Sequence, residues 1–346
     1  MELKKRIILF LVLFFVPIVA IWLFQDKYLI FKGETMGTTY TMKVYVDSWR
    51  TQNSIESELN KLFSSFNKTF STWDESSEIS AFNKSSSTNY IDISNDLTKV
   101  LDLSKSIYEL SRGAFDPTVK PLLDLWGFSK NNIYFEIPDE NLIKSTYDYV
   151  GFDKLVIDSN KIKKTHPNVT LDLSAVAKGY CVDKVVELFS KMGVTKYMIE
   201  IGGEVRVGKN QSNSSWNIGI LKPEYFSSQS NLLFTLKLNN KSVATSGDYK
   251  NYFEKDGQIY SHLFDPRLGK PILNTITSVT VIADDCMLAD ALATALSVIG
   301  VSRGLSIVES YDNVECVFLT RDKNNELKAY TSSGFSQFLL SSEINI

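Results

Sequence analysis

Apolar residues recur with two different periods along the chain. Alternating positions over Thr39–Val46 predict a strand, and helical spacing over 51–66 and 94–112 predicts two helices. The remaining predicted elements are helices at 175–192, 286–299 and 301–310, and strands near 154–158, 168–173, 197–201, 204–208, 216–221, 233–237 and 277–283. Many of these strands follow one another too closely for a crossover helix. The pattern therefore predicts an α+β fold with largely antiparallel sheets and packed helices.

The amino terminus has a different pattern. Residues 7–24 are an uncharged run of 18 residues that follows Lys4, Lys5 and Arg6. As a helix this run would reach about 27 Å, close to the thickness of a bilayer core. We expect residues 1–25 to form one hydrophobic helix that anchors the chain in the inner (cytoplasmic) membrane, with the rest on the periplasmic side. A cleaved secretion signal is the alternative.

Composition and charge limit the kinds of function that the protein can have. The chain has 346 residues, of which 44% are hydrophobic, and its 37 Lys+Arg and 40 Asp+Glu give a net charge of −3. This balance indicates a globular protein with a large core, and it excludes a broad basic surface for nucleic acid. The cysteines Cys181, Cys286 and Cys316 are too few for a disulfide framework and lack the spacing of a zinc site.

Residues 284–300 (DDCMLADALATALSVIG) carry the most informative pattern. Asp290 and Thr294 are four residues apart, so a helix places them on one face, away from the leucine stripe. Asp290 is the only charged residue between Cys286 and Ser302, which indicates a buried helix. A buried carboxylate needs a partner, and a hard cation suits two oxygen donors. The alternative is a packing helix whose carboxylate accepts hydrogen bonds from backbone amides.

Residues 168–183 (NVTLDLSAVAKGYCVD) predict a strand that runs into a helix with Ser174 as its N-cap. The amino terminus of a helix favours a phosphate group. Lys178 lies one turn into the helix, where its ammonium would reach the same anion, and Asp172 lies at the end of the strand. A strand followed by a capped helix is common, so this segment alone leaves a purely structural role open.

Several short segments suit a planar ligand. The pair Gly202-Gly203 follows a predicted strand and allows close approach of the backbone to a ligand. Residues 71–73 (STW) and 113–117 (GAFDP) combine aromatic surface with polar groups. Residues 245–249 (TSGDY) and 261–266 (SHLFDP) are typical of turns that carry functional groups.

The order of these segments resembles the ApbE family of FAD:protein FMN transferases. The resemblance spans about residues 30–340, which implies a single flavin transferase domain with an ApbE-type, T-fold-like architecture. The matching blocks are Met36-Gly37-Thr38, STW at 71–73, GAFDPTVKPLLDLWGF at 113–128, DLSAVAKGY at 172–180, IGGEVRVGK at 201–209, TSGDY at 245–249, HLFDPRLGKP at 262–271 and ADALATAL at 289–296.

The resemblance implies an activity and a set of site residues. Such enzymes bind FAD and Mg²⁺, transfer the FMN half to a threonine or serine hydroxyl of an acceptor protein, and release AMP. The implied acceptor is an extracytoplasmic flavoprotein, such as a subunit of a membrane redox pump. The positions that match flavin contacts are Met36, Trp73, Ala114, Phe115, Asp116, Asp172, Lys178 and Phe264. The positions that match metal ligands are Ala175, through its main-chain carbonyl, Asp290 and Thr294.

The reaction also requires a base, because an alcohol is a poor nucleophile near neutral pH. His262 is the first candidate and Asp248 the second, since both lie in matching blocks. Two other functions remain open from the sequence. One is a non-catalytic FAD-binding protein, and the other is a metal-dependent FAD pyrophosphatase that uses water as acceptor.

Overall fold

The computed structural model describes residues 26–47, 50–128, 137–224, 231–248, 252–273 and 275–345. The membrane anchor or secretion signal expected at residues 1–25 lies outside these ranges and stays a prediction. Within them, none of the helices combines the length and the apolar character that a membrane span requires.

The secondary structure confirms all five predicted helices and adds three shorter ones. The helices are α1 (Gln52–Phe70), α2 (Glu78–Lys84), α3 (Asn95–Ser111), α4 (Lys120–Leu125), α5 (Glu140–Thr146), α6 (Ser174–Lys191), α7 (Cys286–Ile299) and α8 (Val301–Val308), with 3₁₀ turns at Tyr147–Tyr149, Phe152–Lys154 and Phe335–Phe338. The strands are β1 (Asp26–Thr35), β2 (Thr38–Asp47), β3 (Ile91–Asp92), β4 (Leu155–Asp158), β5 (Lys161–Lys164), β6 (Lys196–Ile201), β7 (Glu204–Val207), β8 (Trp216–Leu221), β9 (Leu232–Leu238), β10 (Lys241–Gly247), β11 (Tyr252–Lys255), β12 (Gln258–Ser261), β13 (Phe264–Asp265), β14 (Lys270–Pro271), β15 (Ile276–Ala283), β16 (Glu315–Arg321), β17 (Leu327–Thr331) and β18 (Leu339–Ser342).

An eight-stranded sheet forms the centre of the molecule, with the strand order β1-β2-β6-β7-β10-β15-β16-β17. Smaller sheets have the orders β18-β9-β8 and β3-β5-β4, and two hairpins pair β11 with β12 and β13 with β14. Every ladder between these described strands is antiparallel. The prediction of an α+β fold with largely antiparallel sheets is therefore confirmed.

The central sheet is covered on both faces. Helices α6 and α7 pack on one face, where Val279 and Val281 of β15 join the main core. The sheet β18-β9-β8 covers the other face, where Ile282 joins a second apolar cluster. All eight residues of β15 are consequently buried. Strand β15 thus fixes the position of α7 on the sheet, because the side chains of β15 are packed on both faces.

A third, aromatic cluster lies beside the main core. Trp126 at the end of α4 packs edge-on against Phe264, and Phe128 packs against Phe253 and Phe264 with ring centroids 5.4 and 5.7 Å apart. The indole N–H of Trp126 donates to the carbonyl of Gly269 at 3.0 Å. These contacts fix the two small hairpins β11-β12 and β13-β14 against helix α4.

Two predictions for residues 168–183 are wrong. Residues 168–173 belong to no strand, and beside Leu171 the place of a neighbouring strand is taken by the side chain of Asn83. Its amide donates to the carbonyl of Leu171 at 2.9 Å, and its oxygen accepts from the Leu171 amide at 2.7 Å. Ser174 is the first helical residue rather than the N-cap, and its own amide donates to Asp172 Oδ1 at 2.8 Å.

A third prediction needs correction at residues 245–249. These residues were predicted to form a turn, but Thr245, Ser246 and Gly247 continue strand β10, which lies between β7 and β15 in the central sheet. Because β10 is an inner strand, its side chains reach the helical layer. Ser246 is consequently a neighbour of α7.

Candidate functional site

A pocket of about 360 Å³ opens where α6, α7 and β10 meet the aromatic cluster. One part of its lining is apolar and includes Phe115, Phe128 and Phe264. Another part is polar and charged. A pocket that combines aromatic surface with a few convergent polar groups is typical of a small-molecule site. The polar lining residues include Asp116, Asp172, Ser174, Lys178, Glu204, Thr245, Ser246, His262, Asp290 and Thr294.

Asp290 lies at the closest approach of α6 and α7. Its carboxylate is 3% exposed, and its Oδ2 accepts a hydrogen bond from the Gly179 amide at 2.9 Å. A Cβ atom at Gly179 would lie 2.3 Å from the carbonyl oxygen of Cys286. Only glycine therefore allows the two helices to approach closely enough for this bond. The backbone amide partner that the packing alternative required is present, but it occupies only one of the two carboxylate oxygens.

Lys178 faces the other oxygen of Asp290. Its Nζ lies 3.6 Å from Asp290 Oδ1, 3.0 Å from Glu204 Oε1 and 3.3 Å from the carbonyl of Ser174. Burial lowers the pKa of Lys178, but the carboxylates of Asp290 and Glu204 outweigh burial and hold that pKa above its ordinary value. Lys178 is therefore a permanent cation in the pocket wall.

The oxygen donors around Asp290 fit a hard cation. Thr294 Oγ1 shares a hydrogen bond of 3.0 Å with Ser246 Oγ, one turn along α7 from Asp290. Ala175 also lines the pocket, and because a carbonyl oxygen has two lone pairs, its main-chain carbonyl can offer one to a ligand while it accepts a helical hydrogen bond. No group of three or more His, Cys, Asp or Glu side chains with metal-binding geometry occurs in the described ranges. One carboxylate with neutral oxygens suits Mg²⁺, which keeps several waters or substrate phosphates as ligands.

A residue that sequence reasoning missed fixes the position of α7. Asp183 on α6 accepts hydrogen bonds from the backbone amides of Cys286 and Met287, at 2.9 and 2.8 Å, and so caps the first turn of α7. Burial raises the pKa of Asp183 to about 6, the nearby Asp285 carboxylate adds to this, and the two amides and Arg206 oppose it. Gly179 and Asp183 lie one turn apart on α6. This spacing indicates a helix contact only when the position of α7 is known.

We expect Asp183→Asn to change how stability depends on pH. The pKa of Asp183 is about 6 in the folded chain and near the ordinary aspartate value of 3.8 in the unfolded chain, so the folded chain binds more protons between about pH 4 and pH 6. Asp183 therefore contributes stability that falls as pH rises through this window, by up to about 1.4 kcal/mol per pH unit. Urea unfolding from pH 4 to 7 measures the free energy of unfolding of the wild-type chain and the variant. The difference between the two free energies should fall with this slope as pH rises. Parallel pH profiles would contradict the prediction.

The apolar part of the pocket is held by a second buried carboxylate. Asp116 accepts from the amide and hydroxyl of Thr118 at 2.8 and 2.6 Å, and from the amide of Phe152 at 3.2 Å. Burial raises the pKa of Asp116 to about 6 against these hydrogen bonds. Because its oxygens are engaged by Thr118 and by the amide of the distant Phe152, Asp116 orders the segment that carries Ala114 and Phe115.

The structure brings most of the predicted site residues together. Ten line the pocket, namely Ala114, Phe115, Asp116, Asp172, Ala175, Lys178, His262, Phe264, Asp290 and Thr294. Asp248 lies outside this lining, just beyond the end of β10.

Met36 and Trp73 also lie outside the lining but next to it. Met36 and Gly37 form the turn between β1 and β2, and Thr38 contacts Gly202 of the pocket wall, where an added Cβ would lie 2.9 Å from Thr38 Cγ2. The Trp73 indole is 66% exposed and lies beside Gly37. Met36 and Trp73 therefore lie on the β1-β2 side of the pocket, near its Gly202 wall.

Three functional neighbours had no role assigned from the sequence. They are Asp183, Glu204 and Ser246. Each acts through a partner that is distant along the chain, for instance Glu204 with Lys178, 26 residues away, and Ser246 with Thr294, 48 residues away. The only local signal was the position of Glu204 directly after the Gly202-Gly203 turn.

Comparisons with known proteins identify the family of the chain. The family model described as "ApbE family" matches residues 36–318. The chain is 37% identical to "FAD:protein FMN transferase" of Vibrio cholerae over 309 residues, which is 89% of this chain and 91% of that protein. It is 36% identical to the protein of the same name from Haemophilus influenzae over 321 residues, which covers 90% of this chain and 92% of that protein.

Solved structures give the same result. "Flavin Transferase ApbE from Vibrio cholerae" superposes with a TM-score of 0.82 at 34% identity, covering 91% of this chain and all of that chain. The apo form of flavinyl transferase ApbE from Pseudomonas stutzeri superposes with a TM-score of 0.81 at 31% identity, covering 91% of this chain and 98% of that chain. The matches extend over the pocket, both of its helices and the central sheet, and the chain belongs to the ApbE family.

Proposed function

We propose that this protein is an FAD:protein FMN transferase that moves the FMN half of FAD to a threonine or serine hydroxyl of an acceptor protein and releases AMP. The observation that carries the proposal is one pocket in which the Asp290–Lys178–Glu204 group adjoins an aromatic wall. The aromatic wall suits the flavin ring, and the charged group suits a pyrophosphate. The relatives named FAD:protein FMN transferase support the same reaction.

Mg²⁺ would be held by Asp290, Thr294 and the main-chain carbonyl of Ala175. When bound, Mg²⁺ would neutralise negative charge on the pyrophosphate and on the departing AMP. Lys178 adds a fixed positive charge, since its pKa is held above the ordinary value. Ser246 orients the Thr294 hydroxyl through their 3.0 Å hydrogen bond.

The chemical step asks for positioning more than for covalent help from the protein. The acceptor hydroxyl oxygen attacks the phosphorus of the FMN half, and a new P–O bond forms. The P–O bond to the AMP phosphate breaks, and AMP leaves with that electron pair. His262, in its neutral form, takes the hydroxyl proton. His262 lines the pocket and Asp248 does not, so the geometry favours His262 as the base.

The acceptor and the compartment belong to the same proposal. We expect the acceptor to be an extracytoplasmic flavoprotein, such as a subunit of a membrane redox pump. The apolar run at residues 7–24, preceded by Lys4, Lys5 and Arg6, supports a membrane-anchored transferase with its pocket on the periplasmic side.

A direct assay tests the reaction. The protein is incubated with FAD, Mg²⁺ and a candidate acceptor, and AMP is measured together with the flavin fluorescence that stays on the acceptor after denaturation. Transfer predicts equal amounts of AMP and acceptor-bound flavin, and a mass increase on the acceptor equal to one FMN less one water. AMP with free FMN would indicate a pyrophosphatase, and FAD binding without AMP would indicate a non-catalytic protein.

We expect His262→Ala to lower turnover by about 10²- to 10⁴-fold, the usual contribution of a general base. FAD affinity should change little, because the aromatic wall and Lys178 remain. Rate constants at saturating FAD and FAD binding by fluorescence quenching measure the two effects separately. Asp248→Asn is the matched comparison and should retain most of the turnover. A normal turnover number for His262→Ala would remove His262 as the base.

A further inference from the structure

Glu204 is a buried carboxylate of the pocket whose role is unassigned. It is the first residue of β7, follows the Gly202-Gly203 turn, and is 3% exposed. Its Oε1 accepts from Lys178 Nζ at 3.0 Å, and it lines the same pocket as Asp290. Burying a carboxylate costs free energy, so its presence here points to a function beyond packing.

Lys178 lies between two carboxylates but binds them unequally. Its Nζ is within hydrogen-bond distance of Glu204, whereas Asp290 Oδ1 is 3.6 Å away. The stem of Lys178 passes beside Gly202, where an added Cβ atom would lie 3.3 Å from Lys178 Cδ. Without Glu204, the ammonium would have Asp290 as its one remaining carboxylate in this group.

The charges of the group explain why this matters for a divalent cation. Asp290 and Glu204 contribute −2 and Lys178 contributes +1, so the group carries −2 + 1 = −1. Without Glu204 the sum is −1 + 1 = 0, and Asp290 would be neutralised by Lys178. A neutral ion pair attracts a second cation poorly, and in a buried site the loss is weakly screened.

We propose that Glu204 is a positioning residue that holds the Lys178 ammonium away from Asp290 and so keeps the Asp290 carboxylate available to a divalent cation. The inference rests on the proposed function, because it takes Asp290 as the metal ligand. It adds to the proposed function that Lys178 lies between two groups, Glu204 on one side and the pyrophosphate of FAD on the other.

Mn²⁺ binding to the full chain without FAD tests the proposal, with free Mn²⁺ measured by electron paramagnetic resonance. We expect Glu204→Gln to bind Mn²⁺ about 10- to 100-fold more weakly than the wild-type chain, the usual range for residues that support a metal ligand. Removing the competing ammonium as well should reverse the loss. The double variant Glu204→Gln with Lys178→Gln is therefore expected to bind Mn²⁺ within about threefold of the wild-type chain.

Two further variants keep the test independent of folding defects. Lys178→Gln alone should bind Mn²⁺ at least as tightly as the wild-type chain. Asp265→Asn removes a different buried carboxylate, which is paired with Arg267 at 2.7 Å, and should leave Mn²⁺ affinity unchanged. Circular dichroism and thermal unfolding establish that each variant is folded.

The outcomes separate this inference from the proposed function. Wild-type affinity in Glu204→Gln would overturn the role of Glu204, and so would a double variant that binds as weakly as Glu204→Gln. Equal Mn²⁺ affinities of the wild-type chain and Asp290→Asn would instead refute the metal site, and the proposed function would fail with it.

Discussion

Asp290→Asn is expected to lower the rate of flavin transfer by at least about a thousandfold while the chain stays folded. Asparagine has nearly the same shape and keeps an oxygen for the Gly179 amide, so the 2.9 Å hydrogen bond between α6 and α7 is retained. Asparagine lacks the negative charge that would hold a divalent cation at the proposed metal site. A metal ion contributes several kcal/mol of charge stabilisation, and each 1.36 kcal/mol is a factor of ten in rate. Single-turnover transfer to an acceptor protein measures the effect.

The control for this variant is Asp285→Asn in the same helix. Asp285 is the N-cap residue of α7, its side chain is exposed, and it makes no capping hydrogen bond. Its loss removes the same charge a short distance from Asp290 without touching the pocket, and transfer should stay within about twofold. If Asp290→Asn also transferred flavin at nearly the wild-type rate, α7 would be only a packing helix.

The contrast between these two acidic residues illustrates what the sequence could predict. Helix α7 has small or apolar residues on every side, which predicted its burial, and ten of its 14 residues are buried. Periodicity also placed Asp290 and Thr294 on one face, and both line the pocket. These predictions succeeded because a helix fixes the relative positions of residues that are close in sequence.

Long-range partners could not be predicted in the same way. Asp183 caps a helix that begins 103 residues later, and no local pattern announces that pairing. The segment around Leu171 resembled a strand because it alternates apolar and polar residues. Its neighbour is the single side chain of Asn83 rather than a strand. Whether an extended segment joins a sheet depends on which backbone groups lie beside it, and this is settled only by the tertiary fold.

Strand β10 shows a further limit. Its sequence, Lys241-Ser-Val-Ala-Thr-Ser-Gly247, has small and polar residues where an inner strand usually has large apolar ones. The pattern therefore resembled a turn. The small side chains are needed because α7 packs directly over this strand, and they bring Ser246 to within 3.0 Å of Thr294. The need to pack against α7 therefore determines the composition of this strand more than the usual preference for large apolar residues does.

Gly179→Ala is expected to have the second large effect, a loss of both stability and transfer. Alanine in the middle of an exposed helix is normally more stable than glycine by about 1 kcal/mol. At this position the new Cβ would lie 2.3 Å from the Cys286 carbonyl oxygen and 2.8 Å from Asp290 Cβ. The backbone of α7 cannot move away freely, because Asp183 and strand β15 hold it. We therefore expect a net loss of about 3 kcal/mol or more in the free energy of unfolding.

The same displacement should disable the site, and this distinguishes Gly179→Ala from a variant that is merely less stable. Separating α6 from α7 breaks the bond from the Gly179 amide to Asp290 and moves the Ala175 carbonyl away from the carboxylate. Transfer should fall at least about a hundredfold even at temperatures where the variant is folded. Gly193→Ala is the control: its φ of 70° is costly for alanine by about 1–2 kcal/mol, but apart from its chain neighbours no described residue has an atom within 4 Å of the new Cβ. Gly193→Ala should therefore lose stability and keep its transfer rate, and equal transfer rates in the two folded variants would show that the α6–α7 distance does not control the site.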